Sequence, residues 1–208
     1  MFSRRLLAAA ALMGALALVG CSKGSGGAAS SEDMSLGDPK AKVQVTEYAS
    51  ASCAHCARFN NEVFPAFKAK YIDTGKVHYT LKEFLTPPEN VAAAGFLLAR
   101  CAGKDKYFTV LDSIYKNQSE MFQTGDFRGV LLRIAQSSGM TEAQFSACIQ
   151  DDAAQKALAA RVEKHIKEDK VDSTPTLEVN GRRLDYPPSS LAEFETMIDR
   201  AQKKPGGH

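Results

Sequence analysis

Two cysteines separated by two residues, Cys53 and Cys56, lie between a predicted strand and a predicted helix. The strand is predicted because residues 42–48, KVQVTEY, alternate between apolar and polar side chains. The helix is predicted over 53–70, where apolar side chains recur at helical spacing, with Ser52 as its N-cap. A cysteine in the first turn of a helix has a stabilised thiolate, because unpaired amide groups and the helix dipole favour negative charge. This position predicts a thiol exchange centre.

The spacing of the pair assigns a different task to each sulfur. Cys53, at the helix start, is expected to attack or be attacked first, and Cys56, one turn inside, to resolve the mixed disulfide. A structural zinc site is disfavoured because it needs a second cysteine pair, whereas Cys101 and Cys148 stand alone. Haem attachment needs a histidine directly after Cys56, and that residue is Ala57. We therefore expect a redox pair with no metal and no cofactor.

An acidic residue occurs on the apolar face of the first predicted strand. Glu47 lies six residues before Cys53 and shares its face with Val43 and Val45. An inward carboxyl group is costly unless it has a partner or a chemical task. Glu47 is therefore a candidate for proton transfer to or from Cys56. The alternative is an edge carboxylate that turns to solvent.

The remaining chain alternates between strand, helical and hairpin patterns. A strand is predicted over 76–84, and Pro65 is expected to kink the first helix. Asn180-Gly181 predicts a tight hairpin turn. The predicted helices after the second strand are 90–102, 106–117, 126–138, 141–149, 153–168 and 191–202, and the hairpin strands are 177–179 and 183–184. This order predicts an α/β domain over 36–203, with a helical insertion at about 89–170 and a tail at 204–208.

The N-terminal segment has the pattern of an export signal. Basic residues Arg4 and Arg5 precede an uncharged run, Leu6–Gly20, which is shorter than the roughly 20 residues of a membrane span. The run ends in Leu-Val-Gly-Cys, which resembles the lipobox of bacterial lipoproteins. The resemblance implies a signal peptide at 1–20, lipidation of Cys21 and a flexible tether at 21–35. The alternative is an ordinary signal peptide with a free cysteine nearby.

Charge and cysteine count narrow the function further. The chain has 26 basic and 24 acidic residues, and loss of Arg4 and Arg5 leaves 24 of each, so nothing favours nucleic-acid binding. Four cysteines remain once Cys21 is assigned to lipid, an even number that suggests disulfides in an exported protein. Pairing within the Cys-x-x-Cys motif leaves Cys101 and Cys148 for a structural disulfide. A second redox relay and two free thiols stay open for that pair.

The order of elements, with Cys53-Ala-His-Cys56 at the first helix and Thr174-Pro175 before the Asn180-Gly181 hairpin, resembles the DsbA-like thiol:disulfide oxidoreductases. These belong to the thioredoxin superfamily, and the resemblance covers about residues 36–203. It implies a thioredoxin fold with an inserted helical subdomain, a cis Pro175 facing the cysteines, and a Thr174 backbone that pairs with a substrate strand. A trans Pro175 that only starts a strand is the alternative.

The resemblance also implies roles for two further side chains. Glu47 matches a buried acid of thioredoxin-like proteins, and His55, directly before the second cysteine, would stabilise the Cys53 thiolate and make the disulfide more oxidising. Two positions depart from the best-known members: Ala54 stands where they have proline, and Thr174 where many have valine. Both positions tune the reduction potential and substrate release, so the strength of oxidation stays open.

The implied function is a membrane-anchored lipoprotein in the periplasm or another extracytoplasmic compartment. It would donate the Cys53–Cys56 disulfide to reduced or unfolded exported proteins and be reoxidised by a membrane redox partner. We expect a monomer. Two alternatives stay open, a reductase of protein disulfides on the same scaffold and a non-catalytic, thioredoxin-like chaperone or binding lipoprotein.

Overall fold

The computed structural model describes residues 32–203. The signal peptide predicted at 1–20, lipidation at Cys21, the tether up to residue 31 and the tail at 204–208 lie outside the described residues. Within the described range, no helix combines the length and the apolar character needed to cross a membrane.

A mixed five-stranded sheet with helices around it forms the fold. Its strands are β1 (Met34–Leu36), β2 (Val43–Ala49), β3 (Val77–Glu83), β4 (Thr176–Val179) and β5 (Arg182–Arg183), in the spatial order β1-β3-β2-β4-β5. Strands β2 and β3 are parallel, and the other three pairs are antiparallel. The helices are α1 (Ala54–Glu62), α2 (Phe64–Phe67), α3 (Glu89–Cys101), α4 (Tyr107–Thr124), α5 (Phe127–Ser137), α6 (Glu142–Ile149), α7 (Asp152–Lys167) and α8 (Leu191–Lys203), with a π-helical turn at Lys68–Ile72 and a 3₁₀ turn at Lys104–Lys106. The predicted α/β class is confirmed.

Aromatic side chains fix α1 and α8 on one face of the sheet. The ring centroids of Phe67 and Phe194 are 4.5 Å apart, and Phe59 of α1 packs edge-on against Phe194 at 5.8 Å. All three rings are buried, and such pairs add to the free energy gained by burying their surface. Helix α1, which begins at the cysteine pair, is therefore held rigidly.

The five helices α3–α7 lie between β3 and β4 in the chain and form the helical insertion. Helix α4 packs against both α1 and α3, so the insertion directly contacts the helix that carries Cys56. The insertion is thus positioned to influence the redox pair.

The start of the domain lies earlier than predicted. Residues Met34 and Ser35 were expected in the tether, but they belong to β1, which pairs antiparallel with β3 and buries Met34. The three-residue strand is too short to give a clear alternating pattern in the sequence. Residues 34–36 form a strand because β3 has an edge with which they can pair.

Two helix predictions were also wrong in detail. The helix expected over 53–70 is divided at Val63, two residues before Pro65, because proline lacks the amide hydrogen needed to continue the ladder; the disruption expected from Pro65 is present, but it separates two helices. Helix α4 runs to Thr124, beyond the predicted end at residue 117, and stops at Gly125 in the left-handed conformation. Its buried stripe continues through Gln118, whose polarity masked the pattern.

A disulfide joins the first and fourth helices of the insertion. Cys101 of α3 and Cys148 of α6 are bonded, with Cα atoms 6.2 Å apart and a sequence separation of 47. The bridge excludes two free thiols in this structure. The bridge links α6 to α3 and does not involve Cys53 or Cys56.

Replacing Cys101 and Cys148 together by alanine is expected to lower the free energy of unfolding by about 2 to 4 kcal/mol, because a long loop is no longer closed in the unfolded chain. Thiol exchange at Cys53 should keep its rate. Urea unfolding and exchange kinetics on both proteins check this. A structural role is contradicted if the unfolding midpoints coincide, and a redox relay is indicated if the exchange rate collapses while stability is kept.

Candidate active site

Cys53 caps the first helix with its own sulfur. Strand β2 ends at Ala49, and after a short turn the Cys53 Sγ accepts a hydrogen bond from the Cys56 backbone N–H at 3.3 Å. The expected cap, Ser52, instead donates its hydroxyl to the Thr86 carbonyl at 2.8 Å. The sequence therefore placed the helix start correctly to within one residue but chose the wrong capping side chain.

The two thiols differ strongly in acidity. The pKa of Cys53 falls from 9.0 to about 6, chiefly because the Cys56 thiol donates a hydrogen bond to its sulfur; the backbone amides of Cys56 and His55 assist, against the cost of burial. The pKa of Cys56 lies well above its ordinary value because its side chain is fully buried and because Cys53 and Glu47 carry negative charge nearby. Cys53 is therefore the more acidic thiol of the pair, and burial favours the protonated form of Cys56.

Alkylation of the reduced protein by iodoacetamide should rise with pH around a midpoint of about 6, since the thiolate is the reactive form. Below that pH the rate should fall, because the thiolate is protonated. Cys56 is fully buried, so the reaction reports Cys53. Cys56→Ala, which removes the largest stabilising hydrogen bond, should move the midpoint upward. A wild-type midpoint near 9 contradicts the assignment.

The chain returns to the cysteines through a cis peptide bond between Thr174 and Pro175. Pro175 is buried, and the Thr174 carbonyl oxygen lies 3.5 Å from the Cys53 sulfur and accepts its hydrogen bond. The Thr174 backbone thus already contacts the nucleophile in the dithiol form. Its side-chain hydroxyl is buried and has no hydrogen-bond partner within residues 32–203.

Glu47 lies in the interior below the pair. Its side chain is 3% exposed, and the Tyr79 hydroxyl of the neighbouring strand donates a hydrogen bond to its carboxylate. Burial raises the pKa of Glu47 to about 7, the Tyr79 hydrogen bond lowers it, and the charge on Cys53 raises it. A carboxyl group with this pKa gains and loses a proton near neutral pH, as an acid or base for Cys56 requires.

The structure gives His55 a smaller part than the resemblance implied. Its side chain is exposed, and in the described part of the chain its ring makes no hydrogen bond to Cys53. The contribution of this residue to the low pKa of Cys53 comes from its backbone N–H. Such a contribution depends on helix geometry and not on the imidazole.

The turn before Cys53 is braced by buried hydroxyl groups that sequence reasoning missed. Ser50 and Ser52 share a hydrogen bond, and both contact Thr86, which follows β3. The Gln118 amide of α4 approaches the same turn from the other side. Short polar residues in a loop carry no distinctive pattern, and Gln118 is 65 residues from Cys53 in sequence.

The structure therefore brings together Cys53, Cys56, Glu47, Thr174 and Pro175 and leaves the Cys101–Cys148 bridge apart. Among residues 32–203 no group of three or more His, Cys, Asp or Glu side chains is arranged to hold a metal ion. The site consists of two thiols and a buried carboxyl group whose pKa is raised to about 7.

A strand, a cysteine-capped helix, a facing cis proline and an inserted helical subdomain define a thioredoxin fold of the DsbA type. The thioredoxin family model matches residues 29–200. The chain belongs to the thioredoxin family.

Individual relatives agree with this assignment. The chain is 34% identical over 170 residues to a protein of Rickettsia bellii that carries the provisional name protein-disulfide oxidoreductase; the match covers 81% of this chain and 64% of that protein, less than two thirds of its length. Wolbachia pipientis alpha-DsbA1 superposes with a TM-score of 0.73 and 27% identity, covering 82% of this chain and 90% of that one. A disulfide bond formation protein D of Bacillus subtilis is 22% identical over 81% of this chain and 75% of its own length.

Proposed function

We propose that the protein is a thiol:disulfide oxidoreductase that acts on other proteins. The observation that carries the proposal is the opposed acidity of two adjacent thiols, Cys53 with a pKa of about 6 and Cys56 with a pKa well above its ordinary value. A merely structural pair needs no such asymmetry. The names of the Rickettsia and Wolbachia relatives support the same class of reaction.

Oxidation of a substrate proceeds through two exchanges. A substrate thiolate attacks the Cys53 sulfur of the oxidised pair, a bond forms between them, and the Cys53–Cys56 bond breaks. Cys56 leaves as a buried thiolate and takes up a proton. A second substrate thiolate then attacks the substrate sulfur of the mixed disulfide, and Cys53 leaves as a stabilised thiolate. The substrate has lost two electrons, and the pair has gained them.

Glu47 supplies the proton that Cys56 needs in the first exchange. Both groups are buried, and negative charge on Glu47 is among the causes that raise the pKa of the Cys56 thiol. Protonated Glu47 can give its proton to the leaving thiolate, and ionised Glu47 can accept one in the reverse reaction. The forward step should therefore decline as pH rises through about 7.

Glu47→Gln is expected to slow the exchange by roughly 100-fold, the usual contribution of general acid–base catalysis, and to remove the transition near pH 7. Tyr79→Phe should shift that transition upward, since the Tyr79 hydrogen bond lowers the pKa of Glu47. Stopped-flow kinetics against pH measures both effects. Glu62→Gln, at an exposed position of α1, is the control. An unchanged pH profile in Glu47→Gln would exclude Glu47 as the proton donor.

We propose that electrons flow from substrate thiols to the Cys53–Cys56 disulfide, so that the protein oxidises its substrates. Stabilising the Cys53 thiolate stabilises the dithiol form, and a stable dithiol makes the disulfide a stronger oxidant. The substrates would be reduced or unfolded exported proteins, and a membrane redox partner would restore the disulfide. We propose a monomeric lipoprotein, anchored through Cys21 on the extracytoplasmic side of a membrane, for which the signal-like segment at 1–20 is the support.

The reduction potential of the Cys53–Cys56 pair tests the oxidase assignment. The protein is equilibrated in glutathione buffers, and trapped thiols are counted by mass spectrometry. A value above about −150 mV, near the roughly −120 mV of the oxidant DsbA, supports disulfide donation. A value below about −250 mV, the range of thioredoxin, identifies a reductase on the same scaffold instead.

A further inference from the structure

A buried amide from the helical insertion contacts the turn that positions the nucleophile. Gln118 of α4 is 5% exposed, and its side-chain nitrogen donates hydrogen bonds to the carbonyl oxygens of Ala51 at 3.0 Å and Cys53 at 3.2 Å. Buried polar side chains are costly unless their hydrogen bonds are made. Gln118 is therefore held in one orientation by the same two bonds through which it holds the turn.

These two carbonyl groups control where Cys53 lies. The Cys53 carbonyl also accepts the first hydrogen bond of α1, from the Ala57 N–H at 3.0 Å, and the Cys53 N–H donates to Ser50 at 3.1 Å. A shift of the Cys53 backbone would therefore change the 3.3 Å distance between its sulfur and the Cys56 N–H. It would also move the sulfur away from Thr174, whose carbonyl is 3.5 Å distant.

A second side chain of α4 supports the closeness of this helix to the redox pair. Tyr115, nearly one turn before Gln118, is buried, and its pKa is raised well above its ordinary value by burial and then by negative charge on Cys56 and Glu47. The titratable side chains that act on the Cys53–Cys56 pair are thus Glu47 from β2 and Tyr115 from α4. Gln118 adds no charge to this set.

We propose that Gln118 is a positioning residue, which rests on the function proposed above: it fixes Cys53 at the N-terminus of α1 and thereby makes the reactivity of the nucleophile depend on the helical insertion. It acts through the Cys53 backbone and touches no reacting atom. A packing role alone would affect stability and leave the thiol chemistry unchanged.

Gln118→Met keeps the length of the side chain and removes both donors. It is expected to raise the midpoint of Cys53 alkylation by about one pH unit and to lower the oxidising equilibrium constant against glutathione by up to about tenfold, the change that corresponds to one pKa unit. Gln118→Asn keeps the amide but cannot reach both carbonyls, and it should give a smaller shift. Gln123→Met, at an exposed position of the same helix, is the matched control.

Three outcomes are distinguishable. A shifted midpoint in the Gln118 variants, with Gln123→Met unchanged, supports the positioning role. A lower melting temperature with an unchanged midpoint and equilibrium constant overturns it, and Gln118→Asn gives the same decision if Gln118→Met does not fold. A wild-type midpoint near 9 would instead remove the proposed function itself, whatever Gln118 does.

Discussion

Cys53→Ser is expected to abolish thiol exchange, leaving only the background rate of the substrate. A serine hydroxyl does not ionise near neutral pH, so neither the hydrogen bond from Cys56 nor the helix N-terminus can turn it into a nucleophile. The remaining thiol, Cys56, is fully buried and has a pKa well above its ordinary value. The rate of disulfide formation in a reduced two-cysteine peptide, followed by mass spectrometry, measures the loss.

Cys56→Ser is the complementary variant. It keeps the nucleophile but cannot resolve a mixed disulfide from within the pair, so covalent complexes between Cys53 and substrate should accumulate. Dithiothreitol should reduce the mixed disulfide and release the substrate from these complexes. If both variants keep the wild-type function and lose only stability, the Cys53–Cys56 pair is a structural disulfide. The chaperone or binding-protein alternative is then preferred over the enzyme.

The fold could be predicted from the sequence because several local signals agree. The alternating strand before Cys53, the Asn180-Gly181 turn and the run of helical patterns fix the order of elements, and both turn residues have the positive φ that such a turn demands. The α/β class with an inserted helical subdomain is confirmed. The errors fall where tertiary contacts decide, as at Met34, which becomes a strand residue only because β3 offers an edge.

The residues of the candidate site also fall into two groups, those that a local motif predicts and those that only tertiary contacts bring to the site. Cys53, Cys56 and Pro175 stand in short motifs, so their chemistry can be proposed from neighbours in sequence. Glu47 could be suspected from its place on an apolar face. Its partner Tyr79 could not, because a parallel register between β2 and β3 brings the two together. Gln118, like Tyr79, could not be assigned to the site in advance, because the sequence of α4 does not indicate which turn Gln118 will contact.

A buried ion cluster, also unsuspected from the sequence, lies at the end of β3. Glu83 is 1% exposed, and its two carboxylate oxygens accept hydrogen bonds from Arg100 of α3 at 2.6 Å and Arg161 of α7 at 2.9 Å. The Tyr107 hydroxyl of α4 donates to the same carboxylate at 2.9 Å. Glu83 pairs in register with Ala49, where β2 ends, so the cluster fastens three helices of the insertion beside the active-site turn.

Glu83→Gln should therefore destabilise the protein by about 3 to 5 kcal/mol, because it removes the buried carboxylate with which both Arg100 and Arg161 pair. The desolvation cost of Arg100 and Arg161 stays while the attraction that offset it is lost. Urea unfolding at neutral pH measures the change. Glu120→Gln, which breaks the exposed pair with Arg133, is the control and should cost less than about 1 kcal/mol.

The triple variant Glu83→Leu, Arg100→Met, Arg161→Met separates the value of the ion cluster from the cost of breaking it. Well-packed apolar replacements for a buried ion group are often neutral or stabilising, so the triple variant should recover most of the stability that Glu83→Gln loses. If it is as unstable as the single variant, the loss comes from packing around β3. If Glu83→Gln itself costs less than the Glu120→Gln control, the cluster does not hold the insertion on the sheet.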